Sequence, residues 1–207
     1  MEKAFKRLAL GLSALALASC TTSLEQYREA AQAGDPVAQN ALGLLYKNGD
    51  GVPLNRKEAM EWFAKAAYRG NAEAMCNMGD MWVDLSEFGD FEPGEKEHKY
   101  YAETIAKAAA YYRKAAEKGL PRAQYELARC YDNATYNNAI LADTYLIDLG
   151  GNKKDVKAYW AEAGKWYKLA ADSGNPKYVA DYADFLKYGS AYIIPEDVGP
   201  EYLKLVQ

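Results

Sequence analysis

With one histidine and three cysteines in 207 residues, this chain has little from which to build most catalytic centres. His98 lies in Glu95-Lys96-Glu97-His98-Lys99, a charge run that reads as a solvated face. Any Ser-His-Asp or Cys-His arrangement would have to use it. Cys20, Cys76 and Cys130 are too scattered for a zinc site and too few for a disulfide scaffold. Basic residues are not in excess: 25 Lys and Arg stand against 29 Asp and Glu, a net charge of −4. That balance lacks the clustered positive charge that nucleic acid requires. No apolar run reaches the roughly 20 residues of a membrane span. Gly49-Asp50-Gly51 has no strand before it and so is no phosphate loop. Asp84, Asp90 and Glu92 do not have the spacing of a calcium-binding EF-hand loop. The expectation is no metal, no cofactor, no nucleic acid and no enzymatic activity. Paired carboxylates for glycoside cleavage stay open as an alternative, because acids are abundant, although no motif singles out a pair.

The N-terminus has a plain layout. Lys3, Lys6 and Arg7 precede Leu8 to Ala18, an uncharged apolar run, as in a secretory signal. The run closes on Leu17-Ala18-Ser19-Cys20, which resembles the bacterial lipobox. That resemblance implies cleavage before Cys20, with Cys20 as the lipid-attachment residue. Two or three acyl chains hold a protein firmly where one holds it marginally. Thr21, in place of the aspartate that retains such proteins at the inner membrane, leans towards the outer membrane, with the folded part facing the periplasm. Removing residues 1–19 takes away three basic residues and one acid, leaving 22 basic against 28 acidic.

An internal repeat organises the remainder. Ala59-x-x-Trp62-Phe63-x-Lys65-Ala66-Ala67-x-x-Gly70 returns as Ala108-x-x-Tyr111-Tyr112-x-Lys114-Ala115-Ala116-x-x-Gly119. It returns again as Ala163-x-x-Trp166-Tyr167-x-Leu169-Ala170-Ala171-x-x-Gly174, and a worn copy is Tyr27-x-x-Ala30-Ala31-x-x-Gly34. Each phrase reads as a helix stopped by a left-handed glycine. Asp35-Pro36, Asn71-Ala72 and Asn175-Pro176 then offer a cap and a first turn for the next helix, while Leu120-Pro121 lacks the capping side chain. The second phrase is Ala38-x-x-x-Leu42-Gly43-x-x-Tyr46, matched by Ala74-x-x-x-Met78-Gly79-x-x-Trp82 and Ala123-x-x-x-Leu127-Ala128-x-x-Tyr131. Tyr178-x-x-x-Tyr182-Ala183-x-x-Leu186 is a weaker copy. The Gly or Ala in each copy yields room for a neighbouring helix to approach.

These phrases, with Gly49-Asp50-Gly51-Val52-Pro53 between them, resemble the Sel-one-like repeat, a relative of the tetratricopeptide repeat. The match is nearly complete over 35–70, weakens inside 83–102 and 132–157, and returns over 103–131 and 158–188. The resemblance implies an all-α fold, an alpha-alpha superhelix or solenoid of antiparallel helix pairs. It also implies binding or scaffolding of other proteins. The division expected is a signal peptide at 1–19, a lipidated N-terminus and capping helix at 20–34, and repeats at 35–70, 71–119 and 120–174. A partial repeat follows at 175–207.

Repeats two and three carry insertions, expected as long loops in the turn between paired helices. Phe88, Asp90 and Phe91 in the first, with Tyr136, Asp143 and Tyr145 in the second, are the candidate partner-binding residues. Aromatic and acidic side chains together suit a basic protein surface. Cys76 and Cys130 sit five positions apart in register, about 7.5 Å along a helix, so they should not bridge. The function expected is a membrane-anchored repeat protein of the cell envelope that binds another protein. It would be an adaptor, or an immunity or inhibitor protein against an envelope-acting toxin or hydrolase. The alternative is a cell-envelope hydrolase using carboxylates on the concave face.

Overall fold

A computed structural model describes residues 24–87, 95–140 and 156–189, together with the short turns that join their helices. The described residues form eight helices and no strand: α1 (24–33), α2 (Pro36–Asn48), α3 (Arg56–Tyr68), α4 (Ala72–Glu87), α5 (Glu95–Ala116), α6 (Pro121–Ile140), α7 (Val156–Ala171) and α8 (Pro176–Gly189). None is long and apolar enough to cross a membrane. The helices cluster into two compact units, Met1–Ala74 and Met75–Gln207.

In the first unit, the glycine-stop and cap pattern takes the form that its chemistry requires. Gly34 adopts φ +98°, and its own amide and that of Asp35 turn back onto the Ala31 and Ala30 carbonyls at 3.1 and 3.0 Å. Asp35 then accepts from the Val37 and Ala38 amides at 2.7 and 3.2 Å, satisfying donors that the first turn of α2 leaves open. Asn55 caps α3 through the Glu58 amide, and its own amide donates to the Tyr46 carbonyl, which closes the turn. Phe63 of α3 is fully buried against Gly43 of α2; a Cβ at residue 43 would meet its ring at 2.6 Å. Asn71 donates from Nδ2 to the Pro36 carbonyl while its Oδ1 accepts from the Ala74 amide, so one side chain ties the end of this repeat to its start.

The second unit repeats the joint. Tyr112 of α5 rests on Gly79 of α4, where a Cβ would meet the ring at 2.4 Å. Its phenol donates to Asp80 at 2.9 Å. Arg122 of α6 also pairs with Asp80 and reaches Asn77 Oδ1, linking α6 to α4. Successive helices α5 and α6, α6 and α7, and α7 and α8 pack directly on one another. Gly119 and Gly174 carry φ of +83° and +78° at the ends of their phrases. Cys76 and Cys130 are both buried and are not joined to each other. Burial pushes the Cys130 thiol up to about 12, with Glu126 adding to the effect.

One expectation is corrected. The insertions are not loops throughout: α4 runs on to Glu87, α5 begins at Glu95, and α6 continues to Ile140. Glu95 to Lys99 and Asn133 to Ile140 contain neither Gly nor Pro, so helix continues and pairs the backbone groups that a loop would leave to water. The first-unit helices α2 and α3 have 13 residues each, whereas α5 and α6 have 22 and 20.

Candidate functional site

The residues nominated from sequence lie outside what the structure describes. Cys20, Phe88, Asp90, Phe91, Asp143 and Tyr145 fall outside the described residues, and Tyr136 lies on α6 with its side chain outside them. A different constellation emerges from α6, α7 and α8.

It starts with spacing on α8. Asn175 caps this helix by accepting from the Lys177 amide at 3.0 Å, and Pro176 opens it. Asp181, Asp184 and Phe185 then stand at i, i+3 and i+4, on one face. On α6, Tyr125 and Asp132 stand seven residues apart, again on one face. On α7, Trp160 precedes Gly164 by one turn. The glycine leaves room for Phe185, whose ring would lie 3.3 Å from a Cβ there. Phe185 stacks on Trp160 with centroids 4.6 Å apart and planes 25° apart.

The result is an open cleft of about 250 Å³ lined by Asp132, Trp160, Asp181, Asp184 and Phe185. Two of its three carboxylates are held by phenols. Tyr125 donates to Asp181 at 2.6 Å, and Tyr167 donates to Asp132 at 3.3 Å. Burial raises both phenols far above their ordinary range, with the carboxylates reinforcing the shift. They therefore remain protonated donors and hold the aspartates in place as acceptors. The aspartates have distinct environments. Burial pushes the Asp132 carboxyl upward, opposed by the Tyr167 hydrogen bond and by Arg129. Asp184 is exposed. Arg129 is itself paired with Glu126 at 3.0 Å. Tyr125 is further fixed by stacking on Tyr178 at 4.6 Å and by Lys177 over its ring at 4.6 Å.

Chemically, the cleft offers negative charge beside an aromatic wall, a combination suited to an organic cation. Among the described residues, no group of His, Cys, Asp and Glu has the arrangement to hold a metal ion. The sequence did contain a signal for the site. Asp181-x-x-Asp184-Phe185 places two acids and an aromatic on one helical face, but the contribution of Asp132 and Trp160 depends on how α6 and α7 meet α8.

The Sel1 repeat family matches at residues 36–71, 105–120, 121–137 and 161–175, leaving most of both insertions unmatched. Among solved structures, the Sel1 repeat protein from Oxalobacter formigenes is 28% identical. That likeness covers 78% of this chain and 98% of that one, with a TM-score of 0.52. A second structure is c5321, a protective antigen present in uropathogenic Escherichia coli strains and displaying an SLR fold. It is 23% identical over 89% of this chain and 38% of that one, with a TM-score of 0.37. A search of curated proteins finds no match. The family matches and the first structure place the fold in the all-α helical-solenoid class. Sel1 repeats typically act as protein-interaction modules, and proteins built from them are generally non-catalytic scaffolds.

Proposed function

We propose that this chain is a lipid-anchored, Sel1-type repeat protein of the bacterial cell envelope that binds another protein. In this reading it acts as an adaptor, or as an immunity or inhibitor protein against an envelope-acting toxin or hydrolase. The observation that carries the binding role is the cleft between α6, α7 and α8. Its walls are fixed by stacked rings and phenol–carboxylate bonds, so a partner meets a preorganised surface. Support for the anchor comes from Leu17-Ala18-Ser19-Cys20 at the end of an uncharged apolar run. Thr21 favours the outer membrane, facing the periplasm.

Two measurements test these halves separately. Metabolic labelling with a palmitate analogue should mark the wild-type chain and leave Cys20→Ser unlabelled and unprocessed. Undiminished label in the variant would sink the anchor. For binding, cells carrying the tagged full chain would be crosslinked and the adducts recovered under denaturing conditions. One reproducible protein adduct is expected; recovery of the chain alone would sink the binding role.

A second reading, an envelope hydrolase, draws on one observation. Asp132 is an acid raised by burial beside two further carboxylates, as a general acid would be. Release of sugar or peptide from purified cell wall, abolished by Asp132→Asn, would establish it. An equal release by the variant would remove it.

A further inference from the structure

We propose that the cleft between α6, α7 and α8 is a docking pocket for one basic side chain, a lysine or arginine carried by the protein partner. The alkyl stem lies along the Trp160–Phe185 stack, and the cationic head sits among Asp132, Asp181 and Asp184. This rests on the protein-binding function proposed above and adds the chemistry of the partner.

Size decides first. Pockets for drug-sized ligands span roughly 300–1,000 Å³. A cleft of about 250 Å³ is below that range and suits a single long side chain. Wall chemistry decides next. A hard metal ion wants a shell of oxygens and gains little from indole and phenyl rings. A lysine or arginine presents both a stem that packs on aromatic surface and a head that carboxylates accept. Charge decides last. Three aspartates line the cleft, and Arg129, the cation that acts on Asp132, is engaged by Glu126. The phenols of Tyr125 and Tyr167 each bond one oxygen of their aspartate, Oδ2 in both cases. These bonds fix the carboxyl planes, so an arriving cation does not have to order them. Arginine is over-represented among the interface residues that carry most of the binding energy.

The test uses the full-length protein in detergent, labelled with ¹⁵N, with the Trp160 indole signal assigned by its loss in Trp160→Phe. The probes are N-acetyl-arginine methylamide and N-acetyl-lysine methylamide, with N-acetyl-norleucine methylamide as the uncharged match. The cationic probes should shift the Trp160 signal saturably, with Kd on the order of 1–10 mM for one side chain. The norleucine probe should not. Asp184→Asn, at an exposed position, should weaken binding about fivefold, and 1 M salt should weaken it as well. Equal shifts from norleucine, no saturable shift from either cation, or an unchanged Kd in Asp184→Asn would overturn the pocket. The crosslinking experiment keeps the two ideas apart. Wild-type adduct yield from Asp184→Asn, with no probe shift, leaves protein binding standing and removes this pocket. Absence of any adduct from the wild-type chain removes the binding role itself, and this inference with it.

Discussion

The 35–70 repeat and the repeats after it solve one packing problem in two ways. In both, a small residue on the first helix admits an aromatic ring from the second. Between α2 and α3 the joint is dry: Phe63 lies on Gly43 and buries no polar atom. Between α4 and α5 the ring is Tyr112 on Gly79, and its phenol bonds Asp80, one residue past the glycine. The position one past Gly43 is Leu44, a side chain 37% exposed. In the third repeat the residue aligned with these glycines is the buried Ala128, and the Tyr167 phenol goes instead to Asp132, four residues further on. A buried hydroxyl needs an acceptor, so ring and acid change together. The small residue sets how closely the helices approach. The phenol–carboxylate bond is an addition that only the later repeats carry, and in the last pair it also shapes the cleft.

The largest expected effect breaks the shared element. Gly79→Leu places a branched side chain where even a Cβ would meet the Tyr112 ring at 2.4 Å. Overpacking of this kind costs about 3 kcal/mol, a fall of roughly 6–12 °C in melting temperature for a domain this size. An unchanged melting temperature would mean that the helices do not meet at this glycine.

A smaller effect sharpens the contrast. Phe63→Tyr buries a hydroxyl in the dry joint and should cost about 1–2 kcal/mol. Adding Leu44→Asp supplies the acid that the α4–α5 joint has one residue past its glycine, and the double variant should regain most of the loss. The coupling in a double-mutant cycle is the readout. Strictly additive effects would show that the acid's position is not what lets the later repeats use tyrosine. The reverse change, Tyr112→Phe, should cost about 1 kcal/mol, because Asp80 loses one donor and keeps Arg122.

Local rules made the repeat legible. Asp35, Asn71 and Asn175 cap the helices that follow them, and Gly34, Gly70, Gly119 and Gly174 all take positive φ. Gly43 and Gly79 sit under aromatic rings, as small residues at those places must. Contacts that cross elements were not legible. Gln39 and Gln124, both five residues past a helix-ending glycine, donate to the Ala31 and Ala116 carbonyls and so secure the preceding helix end. In sequence they look like two ordinary polar residues. The repeat template ends the helices too early at the insertions, although the inserted residues themselves favour helix at Glu95 and through Ile140. The cleft escaped for a related reason. Its five lining residues come from three helices, and only the α8 trio shares a local pattern.

The smallest effect concerns the acid at the cleft wall. Burial raises the Asp132 carboxyl above the ordinary aspartate value, so the folded chain binds its proton more tightly than the unfolded chain does. Stability then falls as pH rises from the unfolded value, near 3.9, through the raised folded one. Above that window the full cost of charging Asp132 is present; below it both states hold the proton and the cost is absent. Asp132→Asn removes the titration and leaves an oxygen for the Tyr167 phenol to donate to. The variant should therefore match wild type near pH 3 and be the more stable at pH 7. The gain should be about 0.5 kcal/mol, because a partly exposed group is screened by water. Urea unfolding at the two pH values reads the difference, and the other carboxylates cancel between the two proteins. A variant less stable at pH 7 than at pH 3, relative to wild type, would mean that the ionised carboxylate stabilises the fold. If the gain appears, together with loss of cationic-probe binding, Asp132 is kept charged at a cost to stability because the cleft uses that charge.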